Sequence, residues 1–245
     1  MLNIGVKKLH WNKMDKSKLN LGKLLEHFCQ CGKAEGKSSH TCTWYREMLS
    51  TFTKYLVDSK LPLELDQLNL ETTREFILHE QQRGISPYTV QAKVRALKAF
   101  SSWFLRESYT DTNVLSNLRL PKAPQKIVDT LTPDEINRLI SHQNPLTAIG
   151  ARDIAILITL LDTGLRLSEL SNLHFTDTHI EEGYMKVMGK GSKERIVPVG
   201  NMAQKVLWRY IFHFRPEPAG YLNDYLFQTL EGKQLSSKIP FQSYW

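Results

Sequence analysis

The 245-residue chain is 41% apolar and 23% charged, ordinary for a folded protein, and is long enough for one large or two modest domains. Its formal net charge of +7 favours a polyanionic partner, and the excess is uneven: residues 1–119 hold 18 Lys/Arg against 12 Asp/Glu, residues 131–245 hold 12 against 12. Arg152 and Asp162 bracket the longest apolar run, which excludes a membrane span, and Met1 to Lys23 contains no apolar signal-peptide core. Three cysteines in this length suit a reducing compartment rather than a disulfide framework, so a cytoplasmic location is expected.

Residues 1–19 show no periodicity and read as an N-terminal arm. Leu21, Leu24, Leu25 and Phe28 mark a first amphipathic helix, closed near Gly32 to Gly36. A second opens at Ser38-Ser39 with Trp44, Met48, Phe52, Tyr55 and Leu56 on its apolar face, and Pro62 breaks it. Cys29, Cys31, His40 and Cys42 cluster across these two helices, which raises zinc. Cys29 and Cys31 would sit ~200° apart on one helix, however, and His40 and Cys42 meet the same objection, so no metal is expected.

A third helix covers about Thr72 to Gln82 and stops at Gly84. The fourth starts at Ser86-Pro87, Ser as cap and Pro at the first helical position. Val90, Val94, Leu97, Ser101 and Phe104 recur at helical spacing and face a core. Gln91, Arg95, Lys98, Ser102 and Arg106 then fall on another face. That stripe holds no acid and suits DNA phosphates; a solvated helix face is the plainer alternative.

Pro121, Lys122, Pro124 and Lys126 define a linker at 120–130. Thr132-Pro133-Asp134-Glu135 then carries the signature of a capping box. Ile154 to Leu161 is apolar all round and reads as a buried helix that Gly164 ends in a left-handed conformation. Arg166 opens the next helix, with Leu167, Leu170 and Leu173 on its buried side and Glu169 in reach at i+3. A guanidinium held by Glu169 is a preorganised fork for a phosphate; a purely structural Arg–Glu pair is the alternative. Tyr184 to Met188 and Arg195 to Val199 read as strands joined by Gly189-Lys190-Gly191-Ser192-Lys193-Glu194, a hairpin with cations at its tip, or simply a charged, solvated turn. A helix over 202–214 ends at Pro216 and Pro218. Tyr225-Leu226-Phe227 reads as a short strand, and Ser236-Ser237 as the cap of a last helix.

Thr163-Gly164-Leu165-Arg166-Leu167-Ser168-Glu169-Leu170, followed by Gly189-Lys190-Gly191-Ser192-Lys193-Glu194-Arg195, resembles the tyrosine recombinase (phage integrase, Xer-like) family from about residue 20 onward. The resemblance implies a mainly α fold with a small β-hairpin or sheet. It implies a four-helix core-binding (SAM-like) DNA-binding domain at 20–119 and a partial α+β recombinase catalytic domain at 131–245. It also implies DNA strand cleavage and rejoining through a 3′-phosphotyrosine, with Arg166 on the phosphate, Lys190 as general acid, Glu169 supporting Arg166, and Lys193 and Arg195 touching DNA backbone. Double-stranded DNA and further copies of the chain, a tetramer in the family, are the implied partners; no membrane, metal or cofactor is. The location so implied is the cytoplasm, on the nucleoid through DNA.

The family's His-x-x-Arg element and tyrosine nucleophile have no match. None of the eight histidines is followed three residues later by arginine, and Tyr244 lacks the preceding motif. Two readings follow: a recombinase whose last portion is missing from this sequence, or a non-catalytic module or regulator that occupies recombination sites.

Overall fold

A computed structural model describes residues 18–125, 127–189, 191, 193–220 and 224–236. Lys126, Lys190, Ser192, Ser237 and Tyr244, with residues 1–17 of the arm, lie outside the described residues. The chain divides into two compact units, Met1–Ile127 and Val128–Trp245.

The first unit is helical: α1 Leu21–Ala34, α2 Ser39–Asp58, α3 Leu70–Gln82 and α4 Pro87–Arg106. Side-chain caps start three of these helices. Asn20 accepts from Gly22 and Lys23, Ser38 from Thr41 and Asn69 from Thr72, each meeting backbone N–H groups that a helix cannot satisfy itself. Ser86 caps α4 by position alone, without a side-chain hydrogen bond, and Pro87 supplies the helical φ. The core face of α4 is as its spacing predicts: Val90, Val94, Leu97, Ser101 and Phe104 are all buried. On α2 the spacing misplaces the stripe. Cys42, Leu49, Phe52, Tyr55 and Leu56 are buried, while Trp44 remains at the surface, edge-on to Tyr45.

One charged pair sits inside this unit. Glu80 of α3 and Lys93 of α4 bond to each other with both side chains almost fully buried, and Arg83 reaches the second oxygen of Glu80 at 2.8 Å from the surface. Cys29 and Cys42 face one another across α1 and α2, each sulfur 3.7–3.8 Å from the other's carbonyl oxygen, and burial pushes the Cys29 thiol up. Among the described residues no group of three or more His, Cys, Asp or Glu is placed to hold a metal ion.

The second unit contains α5 Pro133–Ser141, α6 Ala148–Thr163, α7 Leu167–Ser171, β1 Thr178–His179, β2 Tyr184–Met188, β3 Glu194–Pro198 and α8 Asn201–His213. The strands form an antiparallel sheet of order β1-β2-β3. The predicted capping box is complete: Thr132 accepts from the Glu135 N–H, and Glu135 accepts from the Thr132 N–H at 2.8 Å. Ala155 and Ile156 of α6 share a core with Leu165, Leu170, Met185, Val187, Val197, Leu207 and Phe227. Tyr225 forms an isolated bridge to His174 rather than a strand, and the Leu226 N–H donates to the Leu173 carbonyl.

The expectation that α6 is buried all round does not hold. α8 packs against one side, while Ile149 is 40% and Leu161 51% exposed. Among the described residues no helix is long and apolar enough to cross a membrane.

Candidate functional site

The site is built where α6 gives way to α7. Gly164 takes φ 63°, ψ 23°, a left-handed conformation that costs a glycine little, and this ends α6. Leu165 is buried and anchors the turn, and Arg166 follows in an extended conformation as the N-cap of α7. An arginine has no acceptor with which to cap. Only the return half of a capping box therefore forms: the Glu169 carboxylate accepts the Arg166 backbone N–H at 2.9 Å, and also its guanidinium Nη1 at 3.0 Å.

A second arginine converges on the same carboxylate. In the β2–β3 register Val187 lies opposite Arg195, so strand alternation puts Arg195 on the core side with Val197 and Val199. Its guanidinium meets Glu169 as a parallel fork, Nη1 to Oε1 at 2.9 Å and Nη2 to Oε2 at 2.8 Å. Glu169 is buried, with a side chain 6% exposed. The Arg195 fork, with the two bonds from Arg166, holds its carboxyl down at about 2 despite burial, which acts in the opposite sense. The buried member of the cluster is therefore the acid. The Arg166 side chain is 72% exposed. Two guanidiniums on one carboxylate leave the cluster one net positive charge, and Arg166 is its most exposed member.

The hairpin closes against this cluster. The Gly189 N–H donates to the Lys193 carbonyl at 2.8 Å. A Cβ added at Gly189 would stand 3.2 Å from Arg195 Nη1 and 3.9 Å from Glu169 Oε1, so the backbone next to Lys190 lies beside the Glu169–Arg195 pair. Lys193 is exposed. Lys190 itself is outside the described residues.

Part of the α4 stripe is engaged in hydrogen bonds within the protein. After α4 the chain turns back along the helix, and the stripe supplies its hydrogen bonds. Ser102 accepts from the Asn113 side chain at 2.9 Å. Lys98 donates to the carbonyls of Leu118 and Ser116 at 2.6 and 3.1 Å, and Gln91 donates to that of Pro121 at 2.7 Å. An irregular, proline-containing segment leaves carbonyls without regular partners, and these side chains meet them. Arg106 pairs with Glu35 at 3.4 Å, and Arg95, bonded to the Gln91 side chain at 3.1 Å, is exposed. Of the stripe, Arg95 and Arg106 are the cations at the surface.

Sequence reasoning missed the Arg195–Glu169 fork and the Glu80–Lys93 pair. The first had a signal: alternation in Arg195-Ile196-Val197-Pro198-Val199 puts the arginine on the valine face, where a cation needs a carboxylate.

A helical first unit, followed by a helical unit whose small antiparallel sheet sets a hairpin beside an arginine-led helix, is an integrase fold. It matches a lambda integrase tetramer bound to a Holliday junction with a TM-score of 0.70 at 14% identity, over 97% of this chain and 68% of that one. It also matches the Tn1549 transposon integrase in complex with circular intermediate DNA at a TM-score of 0.64 and 20% identity, over 89% and 74%. In sequence, residues 129–244 match the phage integrase family. Tyrosine recombinase XerD of Listeria innocua serovar 6a is 30% identical over 213 residues, which cover 86% of this chain and 70% of that protein. Tyrosine recombinase XerC of Xanthomonas axonopodis pv. citri is 35% identical over 184 residues, 70% of this chain and 60% of that protein. The chain belongs to the phage integrase family of tyrosine recombinases.

Proposed function

We propose that the chain binds double-stranded DNA at recombination sites, assembling there with further copies of itself, and that Arg166 and Lys190 take the backbone phosphate at which strands are cut and rejoined. The observation that carries this reading is the Glu169 cluster, which fixes an exposed guanidinium and leaves it one net positive charge. In strand cleavage Arg166 neutralises the non-bridging oxygens, and Lys190 protonates the leaving 5′-oxygen. Glu169 touches no DNA and holds Arg166. Arg95 and Arg106, the exposed cations of α4, contact phosphates elsewhere on the duplex.

The His-x-x-Arg element and the tyrosine nucleophile of the family are a separate matter. No histidine in the 245 residues is followed three positions later by arginine, and groups of one active site act as a unit, so Arg166 and Lys190 cannot replace a missing nucleophile. We propose that these 245 residues by themselves bind DNA without forming a covalent adduct. The test incubates it with nicked suicide duplexes and resolves the products on a denaturing gel. No covalent protein–DNA adduct is expected. An adduct mapping to Tyr244 or to any other tyrosine would overturn the non-cutting reading and assign cleavage to the chain itself.

A further inference from the structure

Arg195 invites the assignment of a second phosphate contact, but its fork is already occupied. The geometry points to Arg195 as a positioning residue that fixes Glu169, and through it sets both the Arg166 guanidinium and the base of the hairpin that carries Lys190. This inference rests on the reading of Arg166 as a phosphate-binding group.

Three features support it. First, Arg195 spends both Nη groups on both oxygens of Glu169, at 2.9 and 2.8 Å. Such a fork stops the carboxylate from rotating and turns Oε1 toward Arg166; a lysine would take one oxygen and leave rotation free. Second, the two partners differ in rigidity. Arg195 is mounted on a strand paired along its length with β2, whereas Glu169 belongs to the five-residue helix α7, too short to hold itself. The sheet therefore orients the helix start. Third, the residue before Lys190 is a glycine whose added Cβ would stand 3.2 Å from Arg195 Nη1, so the hairpin base packs directly on the fork.

Charge adds a further consequence. Alone with Arg166, Glu169 would cancel its charge. With Arg195 taking the larger share of the carboxylate, Arg166 keeps the positive charge that an entering phosphate meets. Arg195 thus serves phosphate binding without touching the phosphate.

A double-mutant cycle on the full chain tests this, read as affinity for a labelled mixed-sequence DNA duplex by fluorescence anisotropy, with circular dichroism confirming the fold. Arg195→Lys should weaken binding about threefold to tenfold when Arg166 is present, within the usual coupling of residues in one network. In the Arg166→Ala background it should cost clearly less, because only the effect on the hairpin base that carries Lys190 remains. Gly189→Ala, whose Cβ would meet Arg195 Nη1 at 3.2 Å and the Lys193 carbonyl at 3.3 Å without removing a charge, should show the same dependence on Arg166 and serves if Arg195→Lys does not fold. Equal losses in both backgrounds would overturn the inference, since a direct phosphate contact or a general loss of structure does not depend on Arg166. If Arg166→Ala alone leaves affinity unchanged, the phosphate-binding reading fails and takes this inference with it.

Discussion

Glu169→Gln isolates the charge at the centre of the site while keeping its volume. The wild-type carboxylate accepts two bonds from Arg195, one from the Arg166 side chain and one from the Arg166 backbone. Its pKa is depressed from the ordinary 4.5 to about 2, mainly by the Arg195 hydrogen bonds. At 1.36 kcal/mol per pKa unit this depression is worth about 3 kcal/mol, and screening at the exposed guanidiniums brings the expected figure to about 2 kcal/mol. A depressed pKa contributes stability that is fully present above the unfolded-state value and is lost as pH falls through the folded-state value. The gap between wild type and variant should therefore be full at pH 7, begin to close near 4.5 and be largely gone near 2. Urea unfolding at stepped pH measures it, with hydrogen exchange of residues 165–199 reporting the second unit separately, because a chain of two units need not unfold in one step. A gap at pH 7 below about 0.5 kcal/mol, within the range of neutral surface changes, would refute the reasoning. So would a gap that stays constant through the acid range.

Lys98→Met keeps the stem and removes the ammonium that serves the Ser116 and Leu118 carbonyls. Faster hydrogen exchange and proteolysis at residues 113–121 are expected, with a cost of about 1–2 kcal/mol; unchanged protection there would return Lys98 to the open DNA-facing stripe. Lys93→Met strands the buried Glu80 with only the surface guanidinium of Arg83, and should cost the first unit about 3 kcal/mol in urea unfolding. Adding Glu80→Leu should recover most of that loss, and failure to recover it would mean that packing rather than charge sets the cost.

What the sequence determined by itself is local. Thr132 and Glu135 stand three residues apart and close a capping box whatever else the chain does. Gly164 ends α6 because only its own φ is at stake, and the 3.6-residue period of α4 assigns Val90, Val94 and Leu97 to the core. The Thr163–Leu170 and Gly189–Arg195 motifs are contiguous runs, so the family was legible before any packing was known. The tertiary structure alone decided the rest. The Arg195–Glu169 fork joins residues 26 positions apart, and Lys98 meets a carbonyl 20 positions away. The face of α2 rotated toward Leu49 and away from Trp44, and one side of α6 lay uncovered, because neighbours distant in sequence choose what is buried. Local rules act over a few bonds, whereas a charge takes its partner from whichever element the fold sets against it.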